Sequence, residues 1–451
     1  MVTMLGLWLV LGMISVAADN KNEMVLNSES DIEVESEYDG IFNIEEKKVT
    51  ILKPGKYKVY GQENITSNQI IIKAEGKVEI TIENVKIVGP RPFQIKKGTV
   101  KLYLKGKNLL EAKYKWGVEK NAGIWAGKNK LTIEGNGYLK AKGNDEPGIS
   151  GKYLTINSGT IEAYGGDLSA GIGGGRYAAV GTIRITGGKI KAIGSEFGAG
   201  IGTGMNGTCE KIQITGGTIH AEAGCCSAAI GLGGMDCVTD DVHVDSYLNK
   251  LSISGGKIHV KAYTSGSVGI GVSSESSGRL KNFHISGGTI SCKAGKFSED
   301  MFLDDIACEG AEKIVITGGS IQAEQIKHTV VNDKNKTLYR KTIFVGKKYK
   351  NCKVTKINNV KYKLKDVVVN EQGFVTVYLP KDKIAEIYIK GKLFTDSIVK
   401  GKIYTIGKYK YKVTGYGEVT CMVNNKIDAN TKIPNTVKIN DEVFKVVRIE
   451  K

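Results

Sequence analysis

Proline is scarce in this chain, six residues in 451, so few positions force a break. No stretch places apolar residues at the three-and-four spacing of an amphipathic helix, which excludes a helical bundle or helical crossovers. Glycine is abundant, at 58 residues, yet never recurs at every third position, so a collagen triple helix is excluded. After residue 16 no apolar run is long enough to span a bilayer. The glycine-rich phrases are not followed by Gly-Lys-Ser/Thr or by a helix, which excludes a phosphate-binding loop. Helix-turn-helix, zinc-finger and RNA-binding signatures are also missing, and nucleic acid ranks low as a partner.

One phrase is present instead, and it repeats. Ile-x-Ile-Thr-Gly-Gly-x-Ile-x-Ala reads at 183–192, 212–221, 251–260, 283–292 and 314–323, with a degenerate copy from Leu154. The isoleucines before the Gly-Gly, at 185, 214, 253, 285 and 316, step by 29, 39, 32 and 31 residues. Such a period marks stacked supersecondary units. Apolar and polar residues alternate within each copy, as in a strand with one buried face, and the Gly-Gly marks a bend. Aligning Ile82, Leu104, Ile133, Ile156, Ile185, Ile214, Ile253, Ile285 and Ile316 gives about nine coils of an all-β parallel solenoid. A second phrase, Gly-Ala-Gly-Ile-Gly, places Ile124, Ile149, Ile172, Ile201, Ile230 and Ile270 in one column, expected to point inward.

Regions outside the repeat differ in kind. Met4–Val16 followed by Ala17-Ala18 reads as an export signal over 1–18, and 19–40 as a solvated acidic leader. Residues 41–325 then hold the solenoid with its N-terminal cap. Residues 326–451 carry 28 Lys/Arg against 11 Asp/Glu, a surplus equal to the whole chain's net charge of +17, so the first 325 residues are neutral overall. This basic part divides into a β domain over 326–400 and a β segment over 401–451. A basic surface of this kind suits attachment to an anionic polymer. Cys292 falls in the slot that other coils fill with Ala or Val, and reads as core. A coil-to-coil disulfide among Cys209, Cys225, Cys226 and Cys237 is sterically open, with unpaired thiols the leading expectation.

The run 181–192 followed by Gly198-Ala199-Gly200-Ile201-Gly202 resembles secreted Gram-positive surface proteins with Gly-Ala-Gly-Ile-Gly-Gly-Gly repeats. The resemblance covers roughly 45–325 and implies a pectate-lyase-like, right-handed parallel β-helix that binds carbohydrate. Related solenoids that bind calcium carry Asp-Gly-Ile where this chain has Ala-Gly-Ile. Tyr409–Val413, Ile433–Val437 and Phe444–Ile449 resemble the lead-in to BspA-like leucine-rich repeats of bacterial surface adhesins.

Candidate chemistry lies in departures from the repeat. Trp116, Trp125, Tyr164 and Tyr177, with Tyr114, offer flat apolar faces for sugar rings. His220 and His259 hold equivalent slots in consecutive coils and are read as a stacked pair, with a shared metal as the alternative. Glu162 beside Lys191, and Glu222 beside Lys261, read as cross-coil pairs. Asp236, Asp240, Asp241 and Asp245 crowd the longest insertion, where oxygen ligands suit Ca²⁺. No cofactor is otherwise implied. The expected function is that of a secreted, non-enzymatic protein at the surface of a Gram-positive-type bacterium, binding a polysaccharide or cell-wall glycan in an adhesin-like role. The alternatives are a polysaccharide lyase or hydrolase on the same fold, and a structural spacer without ligand.

Overall fold

The structure is a computed structural model. It describes residues 48–450 except 62–63, 115–120, 236–244, 263–265, 274–275, 277, 295–305, 309–312, 324–325, 327, 358–360, 396–400, 408, 416–417, 424–432 and 440–441, together with the strands Ile14–Ser15, Glu23–Leu26, Ile32–Ser36 and Phe42–Glu45. Among the described residues there is no α-helix, and the solenoid is a parallel β-helix.

Each coil lays down three strands on three faces. One coil runs Ile172–Gly173 on the third face, Ala179–Ile185 on the first and Lys189–Ile193 on the second. Successive coils pair in parallel with like on like, so Ile156, Ile185, Ile214, Ile253, Ile285 and Ile316 form one column. Ala163, Ala192, Ala221, Val260 and Cys292 form another. The six isoleucines of the second phrase are fully buried on the third face. Fully burying one such side chain contributes about 1.5–3 kcal/mol, and the column repeats that gain at every coil.

Three features differ from the sequence reading. Leu102, not Leu104, lies opposite Ile133, because the strands Lys77–Glu83 and Thr99–Lys105 extend two residues further and Leu104 meets Gly135. A two-residue slip keeps every side chain on its own face, so the coil count is unaffected. Gly55–Gly61 pairs in parallel with Lys77–Glu83, Val59 opposite Ile82, and so forms a further coil within the segment read as a cap. The acidic stretch read as a solvated leader contributes Ile32–Ser36, which pairs antiparallel with Gly55–Gly61, and Phe42–Glu45 pairs likewise with Lys48–Ile51. These antiparallel strands satisfy the backbone groups that a first parallel coil leaves open.

The glycines have identifiable work. A Cβ on Gly200 would stand 2.7–2.9 Å from the carbonyl oxygens of Ala229, Glu222 and Ala192, because the third face runs directly against the second. At each corner between first and second faces the closing glycine has a positive φ: Gly159 100°, Gly188 87°, Gly217 94°, Gly256 97°, Gly288 89° and Gly319 91°. Only glycine adopts that region without strain.

Beyond the solenoid, Tyr339–Phe344 pairs antiparallel with Phe374–Leu379, and Lys356–Ile357, Glu386–Ile389 and Lys392–Thr395 form a small sheet over a core including Val375, Val377 and Ile387. Five strands between Ile403 and Glu450 enclose Tyr411, Val419 and Phe444. A strap from Tyr362 to Val368 lies over the corners of the last coils. There Lys363 N donates to Thr317 O at 2.9 Å, and Thr289 Oγ1 both donates to Asp366 O and accepts from Val368 N, each at 2.9 Å.

Candidate functional site

The outward positions of the second face carry a compact cluster around Tyr164. Alternation along Thr160–Tyr164 buries Ile161 and Ala163 and turns Glu162 and Tyr164 outward. Pairing with Tyr138–Lys142 sets Lys140 opposite Glu162 and Lys142 opposite Tyr164. Tyr164 donates its hydroxyl to Glu162 Oε2 at 3.0 Å. Burial, with that hydrogen bond and the Glu162 charge, pushes the phenol up to about 12. The Tyr138 phenol is raised as well, first by burial and then by Glu162. Lys140 Nζ and Lys191 Nζ stand 5.6 and 5.8 Å from the Tyr164 ring centroid. Glu162 and Lys191 lie opposite each other in register, as expected, and Glu222 and Lys261 approach to 3.7 Å. A half-buried ring held by a carboxylate and two cations offers an apolar plane edged with hydrogen-bonding groups, the complement of a sugar ring.

Across the corner, on the first face, a polar ladder crosses four coils. Thr186 Oγ1 donates to Asn157 Oδ1 and Asn157 Nδ2 to Glu134 Oε1, both at 2.7 Å, and Lys101 Nζ lies 3.0 Å from Glu134 Oε2. Burial works to raise the Glu134 carboxyl, but Asn157 and Lys101 outweigh it and hold it low. Lys101 is raised by Tyr103 and then by Glu134, and lies 5.0 Å from the Tyr103 ring centroid. Sequence reasoning missed this ladder. Its signal was the run of polar outward residues at equivalent slots, which becomes readable only with the register known.

His220 and His259 stack, with ring centroids 4.9 Å apart and planes 16° from parallel. Both imidazoles are lowered, chiefly by burial, with Lys189 and Lys261 adding at His220 and the His220 ring adding at His259. They continue the column of Glu162 and Lys191.

The remaining candidates fall elsewhere. Trp125 is half-buried on the third face, paired in register with Gln94 and Ser150. Tyr177 sits at the corner leading to the first face, 48% exposed, with the Arg176 guanidinium 4.9 Å from its ring. The structure therefore does not gather these two with Tyr164. Trp116, Asp236, Asp240 and Asp241 lie outside the described residues, and Asp245 is exposed. Among the described residues no three His, Cys, Asp or Glu side chains are arranged to hold a metal. Cys209 is buried, which pushes its thiol up to about 12, and no disulfide joins it. Cys225 and Cys226 share a turn with sulfurs 3.4 Å apart, and Cys237 lies outside the described residues.

Fold and site together define a parallel β-helix protein that presents a polar and aromatic face along stacked coils. A family model for carbohydrate-binding domain-containing proteins matches residues 45–338, which takes in every coil, and the chain belongs to that family. Comparison with curated proteins gave no match, and neither did comparison with solved structures. No helix among the described residues is long and apolar enough to cross a membrane.

Proposed function

We propose that this protein binds a glycan along the second face, with Tyr164 as the platform on which one sugar ring rests. The observation that carries this reading is the Tyr138–Glu162–Tyr164 cluster, set outward between Lys140 and Lys191 inside the span that matches the carbohydrate-binding family. The phenol's donor is committed to Glu162, which leaves its oxygen to accept from a sugar hydroxyl. Stacking on the ring buries C–H surface of the sugar.

The same reading places the protein outside the cell, at a Gram-positive-type surface, in a non-enzymatic and adhesin-like role. The export signal over 1–18 and the repeat resemblance support this. The basic region from 326 onward then holds the protein on an anionic cell-wall polymer by charge, an attachment that weakens as salt rises. A glycan array on the full chain, combined with absorbance for unsaturated uronates, tests the proposal. Binding without product is expected. Product from any polysaccharide would reassign the protein as an enzyme, and an array without binders would remove the glycan reading.

A further inference from the structure

We propose that the Gly-Gly corner between first and second faces is an anion-binding seam, and that the glycan held beside it carries carboxylates. This rests on the second-face reading and names the class of glycan.

Where the chain itself covers the corners, their amides already hold oxygen acceptors. In the last coils the closing glycine donates its N–H outward to the strap: Gly319 to Lys363 O at 3.0 Å, Gly288 to Lys365 O at 2.7 Å, and Gly256 to a carboxylate oxygen, Asp366 Oδ2, at 2.8 Å. The same backbone shape recurs where the strap does not reach. Gly159 and Gly188 have φ of 100° and 87°, and no acceptor among the described residues takes their N–H groups. Gly255, Gly287 and Gly318 are buried under the strap, whereas Gly187 and Gly188 remain half-exposed. One strand of oxygen acceptors thus already lies in half of this seam, and one of its acceptors is a carboxylate.

Charge selects what fits at Gly188. The coil from Gly181 to Ile193 contains Arg184, Lys189 and Lys191 and no Asp or Glu. Arg184 and Lys189 are exposed. A carboxylate on Gly188 N–H gains a charge-assisted hydrogen bond in a coil whose charged side chains are all cations, whereas a neutral carbonyl gains only the ordinary bond. Coils repeat at about 4.8 Å, on the order of one sugar unit, so consecutive corners present donors at a spacing an acidic polysaccharide can follow. Tyr164 lies on the second face of the coil whose corner is Gly159, at the end of the strand that this corner opens.

The test uses the full chain with oligogalacturonate, oligomannuronate and hyaluronate oligomers, each compared with its methyl ester by calorimetry, and with amide exchange over residues 186–190. At least one free acid is expected to bind about tenfold or more tighter than its ester at low salt, the margin a charge-assisted bond provides. It should also slow exchange at Gly188. Arg184→Gln and Lys189→Gln should each weaken the acid about threefold and leave neutral glycans unaffected. Equal affinity for acid and ester, or unchanged exchange at Gly188, overturns the seam. So does tighter binding of an acidic peptide than of any acidic oligosaccharide. If only neutral glycans bind, the seam fails and the Tyr164 reading stands. If no glycan binds, both fail.

Discussion

Replacing Thr289 with Val probes how the strap is held, because the two side chains have nearly the same shape. Thr289 is 3% exposed, and its single hydroxyl makes both a donated and an accepted hydrogen bond to the strap, at Asp366 O and Val368 N. Thr289→Val removes both and leaves a carbonyl and an N–H facing a methyl group. Asp366 is exposed and Val368 half-buried, so water reaches both groups; each lost hydrogen bond costs about 0.5–1.5 kcal/mol and the pair about 1–3 kcal/mol. The strap bonds to the corners through Lys363 N, Gly288 N and Gly319 N as well, so it should loosen locally before the solenoid unfolds. A loss of about 1–3 kcal/mol raises the undocked population by roughly 5- to 150-fold. Amide exchange resolved by peptide measures this directly. Residues 361–368 and the amides of Gly288 and Gly319 should exchange faster in the variant, whereas Gly188, which the strap does not cover, serves as the unchanged reference. Unaltered exchange at those positions, with the denaturation midpoint also unmoved, would refute the reasoning.

Three further outcomes follow from the same geometry. Ile201→Ala in the third-face column should lower unfolding free energy in urea by about 2–5 kcal/mol, and a loss under about 1 kcal/mol would contradict its place in the core. Gly288→Ala forces an L-residue to φ 89°, with Gly256 O 2.9 Å from the new Cβ, and should cost about 1–3 kcal/mol or more by the same measurement. The imidazoles of His220 and His259 are held below their ordinary value of 6.5, so the folded state binds fewer protons than the unfolded one between the lowered and ordinary values. Their contribution is therefore full above about pH 6.5 and is lost as pH falls through the lowered values. A thermal-shift series from pH 7.5 to 4.5 should show wild type losing more than His220→Gln/His259→Gln, and parallel curves would contradict the assignment.

The solenoid was legible because its periodicity is written twice, in Ile-x-Ile-Thr-Gly-Gly and in Gly-Ala-Gly-Ile-Gly. The coil at Gly55–Gly61 was not, because Tyr57-Lys58-Val59-Tyr60 lacks a Gly-Gly corner, and only its parallel pairing reveals its place. The slip at Leu104 has a similar origin, since early coils carry longer strands and no second glycine to mark the register. Strand alternation was enough to turn Tyr164, His220 and His259 outward. It was not enough to join Lys101, Glu134, Asn157 and Thr186, which lie in four different coils of unequal length. The Gly-Gly corners read from sequence only as bends. Their use as a seam depends on a strap more than forty residues further along the chain, a contact that no local pattern encodes.

The most direct measurement of the central claim is glycan binding by the wild-type chain and by Tyr164→Ala, with Tyr177→Ala as the control. Tyr177 is equally aromatic and more exposed, yet lies at the corner leading to the first face and not on the second face. Wild type and Tyr177→Ala should bind the same glycan, and Tyr164→Ala should lose about tenfold or more, the order expected when an aromatic platform is removed. Undiminished binding by Tyr164→Ala, or loss on Tyr177→Ala instead, would contradict the account.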